Sequence, residues 1–359
     1  MKSHKIAAMT LILLAAMLIV PCWSQTSAPE AKAKPEIKPL DTNISSVGKL
    51  FPADTKVLIQ IDLHALVKSD VVLRKDVFKK IPGFDKFYEV IKKAEISPFY
   101  IEKDKIEWTL SDNVKTIYIA KSSFSDDEND ISVLLVGKAN LQFTAERFKE
   151  NEKITVKADE KIKGYEITGL LSKDETLYLS QLNGAIVIAR TPEVAAGYLD
   201  RYAKDDKAEG MKTNEIMYHL AEAQFMGRNI LNAVVLFDKE QREKFAQADD
   251  ETRIFKDIKT FSLGIRSNMG GTYSLESRSE CVNEQAAKDI GEKLKVLKFG
   301  ATLAASEPKL RRLYNSVEIK TPKAAIVLEM TFNVEQIKLL AFGGEKKEAA
   351  ETNDTTDTP

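Results

Sequence analysis

The chain is poor in the residues that most often mark chemistry. Two cysteines in 359 residues exclude a disulfide scaffold and a cysteine-rich zinc module. Three histidines argue against a multi-histidine metal centre. An excess of either charge is missing too: 53 basic side chains face 54 acidic ones, a net charge of −1, so no global field holds nucleic acid or an anionic membrane. A Gly-x-Ser-x-Gly elbow, a Walker loop and a dinucleotide glycine fingerprint are all absent. What remains is an ordinary globular composition, 43% hydrophobic and 30% charged, too apolar for a largely disordered protein.

The N-terminus carries the most specific signal. Lys2, His4 and Lys5 precede an uncharged stretch, Ile6 to Val20, that Pro21 ends. Fifteen such residues span ~22 Å as a helix, short of a ~30 Å hydrocarbon core. A secretory signal peptide over residues 1–24 fits better than a transmembrane helix. Cleavage is expected after Ser24, because Cys22 and Ser24 place small residues at −3 and −1, whereas a cut after Ala28 would put Pro29 at +1. Lipidation at Cys22, which Pro21 disfavours, and retention as an anchor through residues 6–21 are the alternatives. The processed chain keeps Cys281 as its one cysteine, so its stability must come from burial. The expected location is periplasmic or extracellular, with no membrane span in the mature chain.

Residues 25–49, rich in Ala, Lys, Pro, Ser and Thr, read as a disordered linker. Residues 344–359, acidic and without a large apolar side chain, read as a disordered tail. Asn43-Ile44-Ser45 and Asn353-Asp354-Thr355 match the glycosylation sequon, which matters only in a host that glycosylates there. Between these ends the sequence repeats, giving a first unit at 50–207 and a second at 208–343. Val114–Ile119 resembles Ile258–Leu263 at an offset of 144, and Asn183–Leu199 resembles Lys323–Leu339 at an offset of 140, with six of seventeen positions identical in the second pair. The hairpin loop Ser122 to Asp130 is the expected home of the four-residue change, since loops absorb length differences. On that alignment Cys281 takes the slot of Leu141.

Periodicity supplies the elements. In the first unit strands are expected at Lys56–Asp62, Val114–Ala120, Ile131–Lys138, Tyr165–Thr168, Thr176–Gln181 and Ala185–Arg190. Phe84, Phe87, Tyr88 and Ile91 form a helical stripe, a short helix opens at Thr144, and Thr191 caps a helix with Pro192 at its first position. In the second unit helices are expected at Thr213–Met226, at Asn283–Leu297 with Ala286, Ile290, Leu294 and Leu297 inward, and from Val334. Its strands are Ala233–Asp238, Thr260–Arg266, Thr272–Arg278, Ser316–Lys320 and Ala324–Thr331, and Phe261/Leu263/Ile265 alternate with a wetter Ser262/Gly264/Arg266 face. The expected class is α+β: two related units, each an antiparallel sheet with helices packed on one face. Leu50-Phe51-Pro52-Ala53-Asp54-Thr55, followed by a strand ending in Asp62-Leu63, resembles the opening of exported bacterial families of unknown function with duplicated α+β units. That resemblance implies an envelope or extracellular setting and transfers no catalytic residue.

Candidate chemistry is sparse. His219 and Glu222 sit three apart on an expected helix but lack a His-Glu-x-x-His context, and His64 stands alone after a strand. Cys281 precedes a helix start yet reads as a small buried hydrophobe. Asp126-Asp127-Glu128-Asn129-Asp130 has the oxygen density calcium prefers without EF-hand spacing. Gly270-Gly271 fits a hairpin tip. Trp108, Phe99, Tyr100 and Ile106 could rim a ligand groove or anchor an insertion. No catalytic, cofactor-binding or metal-ligating residue and no cofactor is assigned. The expectation is an exported, non-enzymatic binding or structural protein with an envelope or extracellular protein partner. Its competitors are a carrier or sensor of an apolar ligand held between sheet and helices, and a carboxylate-dependent hydrolase with no linear motif.

Overall fold

The computed structural model describes residues 40–68, 99–101, 114–124, 129–137, 141–143, 154–162, 164–172, 175–204, 210–225, 227, 229–248, 253–268, 271–333 and 336. The strands are β1 (Val57–Asp62), β2 (Phe99–Ile101), β3 (Val114–Lys121), β4 (Ile131–Gly137), β5 (Leu141–Phe143), β6 (Ile154–Ile162), β7 (Tyr165–Ser172), β8 (Glu175–Leu182), β9 (Ala185–Ala189), β10 (Leu231–Leu236), β11 (Ile258–Ser267), β12 (Thr272–Cys281), β13 (Glu318–Lys320) and β14 (Ala325–Asn333). Twelve of them form one antiparallel sheet in the order β13-β14-β12-β11-β10-β1-β3-β4-β9-β8-β7-β6, and β2 pairs with β5 apart from it. The helices are α1 (Ile44–Val47), α2 (Leu63–Lys68), α3 (Pro192–Lys204), α4 (Glu215–Phe225), α5 (Lys239–Gln247), α6 (Glu284–Ala304) and α7 (Pro308–Ser316). The class is α+β.

Two separate sheets were expected, and one continuous sheet is found. β1 and β10, the first strands of the two halves, pair directly through Ile59↔Ala233. Each brings two apolar faces to the join, because Val57, Ile59 and Ile61 point one way and Leu58 the other. A strand buried on both faces gains more from a flanking strand than from an exposed edge. One apolar cluster accordingly draws on both halves: Leu58, Tyr118, Leu134, Val187 and Tyr198 pack with Met217, Ala221, Phe225 and Val234.

Helices lie on both faces of this sheet, not on one. α3 and α4 cover the face carrying Leu58, Tyr118, Leu134, Val187 and Val234. α6 buries Ala286, Ala287 and Ile290 against Ile326 and Leu328 on the opposite face. That placement explains why Ser262 and Gly264, expected on the wetter side of β11, are buried: α4 sits over them, while Arg266 beyond its reach stays exposed.

The segment read as a linker joins the fold from Leu40 onward. Ile44, Val47, Leu50 and Phe51 are buried in the shared cluster with Leu40 packed against it. Leu40, Ile44 and Val47 have i, i+4, i+7 spacing, a helical stripe too short to stand out among its polar neighbours. Arg201 on α3 donates from Nε to the Leu50 carbonyl, and Met211 donates its backbone N–H to Phe51 O at 2.9 Å. The expected signal peptide, the Phe84–Ile91 stripe, the expected helix at Thr144, the expected helix from Val334 apart from Gln336, and the acidic tail lie outside the described residues.

The registers of the two halves correspond closely. β3 and β4 pair Val114 with Gly137 and Lys121 with Ile131, with an irregularity between Val114 and Thr116. β11 and β12 pair Ile258 with Cys281 and Ile265 with Leu275, with the irregularity between Ile258 and Thr260. Both strands of the hairpin thus match at one offset, 144. At that offset Cys281, paired with Ile258, lines up with Gly137, paired with Val114, whereas the sequence alignment set it against Leu141. The change to an offset of 140 is carried by the β4–β9 and β12–β14 pairings, Ser132↔Ala189 against Glu276↔Glu329. Read as a repeat, these pairings put the change between β4 and β9 rather than in the Ser122–Asp130 loop. The second hairpin looks tighter only because pairing continues to Ser267↔Tyr273; Gly271 there has φ 73°, which favours glycine.

Caps set the helix starts. Thr191 Oγ1 accepts from Val194 N ahead of Pro192, and Asn283 Oδ1 accepts from Ala286 N at 2.8 Å. Asp238 caps α5 through Gln241 N at 2.8 Å and also pairs with Lys56, which precedes β1. The Lys56 ammonium and the Gln241 N–H hold its carboxyl below the ordinary value. A depressed folded-state pKa stabilises above the unfolded value near 3.9, and the contribution is lost as pH falls through the lower folded value. Asp238→Ala is expected to cost about 1 kcal/mol at neutral pH, and urea melts should show that gap closing in strong acid.

Candidate functional site

The residues singled out by sequence do not converge. His219 and Glu222 meet as an exposed surface pair, Nδ1 to Oε2 at 3.5 Å. His64 lies in α2. Cys281 is buried at the end of β12 among Ile258, Ala286, Ala287, Ile290 and Ile326, and burial pushes its thiol up to about 11. It behaves as the small hydrophobe its context suggested. Of the acidic run, Asn129 and Asp130 form a turn in which Asp130 pairs with Lys121 at 3.1 Å; Asp126, Asp127 and Glu128 lie outside the described residues. Phe99 and Tyr100 belong to β2, and Trp108 and Ile106 fall outside the described residues. Among those described, no cluster of three or more His, Cys, Asp or Glu could hold a metal, and no helix is long and apolar enough to cross a membrane.

A polar chain that sequence reading missed runs through the sheet centre. Gln224 and Asn229 donate to Asn232 Oδ1 at 3.3 and 2.6 Å. Asn232 Nδ2 donates to Gln60 Oε1 at 2.8 Å, Gln60 Nε2 to Tyr118 Oη at 2.9 Å, and Tyr118 to the Thr42 carbonyl. Gly264 makes room: a Cβ there would lie 2.6 Å from both Asn229 Nδ2 and Gln224 Nε2. Burial above all, with the Asp41 charge adding to it, raises the Tyr118 phenol beyond its ordinary range, so it stays a donor at every physiological pH. Ser132 and Tyr198 form a second buried pair at 2.7 Å, and burial pushes Tyr198 up to about 12. These groups satisfy one another, which suits a structural role: each donor's partner is another element of the fold.

The surface offers a different feature at α6. Its first turns pack conventionally, but Val296, Phe299 and Leu303 are 70%, 65% and 66% exposed. Their i, i+3, i+7 spacing lines them along one ridge. Leu297, expected to face inward, is 43% exposed on the flank. The inward positions of this half go instead to Leu294, Lys298 and Ala301. Lys298 reaches across to α7, donating to Val317 O at 2.6 Å and Asn315 O at 3.4 Å. α7 packs back with Leu313 fully buried, and Arg311 caps the end of α6 through Ala305 O at 3.0 Å. The sequence carried a signal for the ridge: from Leu294 to Leu303 the polar Lys295, Lys298 and Thr302 share one side of α6, leaving an apolar arc wider than one packed face needs.

Beside the ridge runs a shallow groove lined by Lys295, Lys298, Asn315, Val317, Glu318, Ile319 and Lys320. Lys320 pairs with Glu329 at 2.7 Å and Glu318 at 3.2 Å, which raises its pKa. Lys295 pairs with Glu292 at 2.7 Å. Exposed aliphatic and aromatic side chains beside ammonium groups can bind a partner. Comparison with protein-family models, with curated proteins and with solved structures finds no match for this chain.

Proposed function

We propose that the chain is an exported binding or structural protein of the bacterial envelope or extracellular space, with no catalysis of its own, and that the α6–α7 hairpin is its contact surface. The observation that carries this reading is the exposure of Val296, Phe299 and Leu303 on one ridge. A contiguous apolar patch on a folded chain marks a place that something else covers. The basic n-region and apolar stretch at residues 2–20 support export.

The body itself we read as two duplicated units. Supporting this, the strands run outward from the centre as β1-β3-β4-β9-β8 on one side and β10-β11-β12-β14-β13 on the other. The matched hairpin irregularities and the Val57↔Val235 and Ile61↔Leu231 pairings suit a pseudo-two-fold axis through Ile59 and Ala233. Duplication makes a broad platform, with α6 and α7 giving the second unit its own surface.

Fractionation of tagged protein tests the proposal. The mature N-terminus should be Gln25, and the protein should be retained with the cell envelope. Serine at positions 296, 299 and 303 together should release it while leaving the urea midpoint unchanged, because exposed substitutions move stability by less than about 0.5 kcal/mol. Cytosolic protein with an intact N-terminus, or a variant retained as well as the parent, would refute the reading.

A further inference from the structure

We propose that the occupant of the α6–α7 surface is an anionic lipid surface, met by the ridge lying in the headgroup layer with lysines and arginines around it. This rests on the reading of the hairpin as a contact surface and adds the identity of what it contacts. Although the whole chain is nearly neutral, the segment from Lys293 to Lys323 holds eight basic residues and two acidic ones. Lys293, Lys309 and Arg312 are exposed, and among the described residues none of the three is in an ion pair. An amphipathic helix with Phe, Leu and Val on one side and Lys or Arg flanking them is the chemistry of an interfacial element. Each flanking cation adds attraction to an anionic leaflet.

Two other occupants fit less well. A second copy of this chain would bring the same lysines against the first, placing like charge at the rim of a shared apolar seam. A protein partner needs about 800 Å² from each side for a stable interface, and three side chains on two turns of helix supply only a fraction of that. A fluid bilayer conforms to a single exposed helix ridge, whereas a protein partner needs a complementary surface packed against it.

Sedimentation of the full-length chain with vesicles tests the proposal, using phosphatidylcholine alone and phosphatidylcholine with a quarter phosphatidylglycerol. The N-terminal apolar stretch is common to all variants, so differences report the hairpin. The parent should bind the anionic vesicles at least about tenfold more tightly than the neutral ones, weakening as salt rises from about 0.05 to about 0.5 M. Phe299→Ser with Leu303→Ser, and separately Lys293→Gln with Lys309→Gln and Arg312→Gln, should each remove most of that preference. Equal binding by parent and both variants overturns the proposal. So does a concentration-dependent dimer, seen by light scattering, that Phe299→Ser abolishes. If vesicles are ignored but the serine variant still leaves the envelope fraction, the lipid assignment falls while the contact surface stands.

Discussion

Gly210→Ala is expected to lower the unfolding free energy by about 4 kcal/mol, among the largest effects of any single methyl in this protein. Gly210 has φ 41°, and a Cβ built there would sit 2.0 Å from the Lys49 carbonyl oxygen and 2.8 Å from that of Phe51. The first factor is ordinary: a non-glycine residue in the left-handed region costs about 1–2 kcal/mol. The second is specific to the site. The obstructing atoms are backbone: Phe51 O is held by Met211 N, and the Leu50 carbonyl between the two obstructing ones is held by Arg201 Nε, so the segment has little freedom to swing aside. Relieving the contact means separating the 210–213 turn from the segment that carries Val47, Leu50 and Phe51 into the shared core. Gly164→Ala is the matched control, since Gly164 has φ 85° with nothing within 4 Å of its virtual Cβ. Urea midpoints should fall far more for Gly210→Ala than for Gly164→Ala. Equal losses would mean that the backbone contact carries none of the cost.

The strands were legible wherever one face stays apolar over five or more residues. β3, β4, β9, β11 and β14 all lie within a few residues of the positions that alternation or apolar runs indicate, and Thr191 and Asn283 announced the starts of α3 and α6. Legibility failed where a residue's role depends on what is packed above it. Ser262 and Gly264 are polar or small in any local window, and only the arrival of α4 makes them interior. α7 was hidden by Lys309, Arg311 and Arg312, whose charges outweigh Leu310 and Leu313 in a short segment. Joining the halves into one sheet depends on β1 and β10 meeting across 174 residues (231 − 57), and no local pattern encodes that meeting. The ridge on α6 failed in another way. From Leu294 to Leu303 apolar residues occupy most of the helix circumference, with Lys295, Lys298 and Thr302 on the remainder, so periodicity cannot say which part of that arc faces the sheet. The sheet decides it, and the surplus becomes surface.

The same dependence on long-range meeting sets the second large effect, at Asn232. Asn232→Leu should cost about 3 kcal/mol, because it leaves the Gln60 carbonyl and the Gln224 and Asn229 amides without their shared partner, and an unmet buried polar group costs about 1–3 kcal/mol. Gln224 and Asn229 sit near the edge of the network and can turn toward water, so Gln60 bears most of the penalty. The site is not intrinsically polar. Leu58 pairs with Val234 on the same face, one step along from the Gln60↔Asn232 pair, and that apolar pair packs without any such network. Replacing both amides should therefore recover much of the loss: Gln60→Leu with Asn232→Leu is expected to be less destabilised than Asn232→Leu alone, since removing both partners of a buried bond is far less costly than removing one. A full double-mutant cycle in urea reads the coupling directly. Additive losses would show that the two amides act independently. Coupling above about 1 kcal/mol would identify the polar chain as one unit that aligns β1 with β10, where the two halves of the sheet are joined.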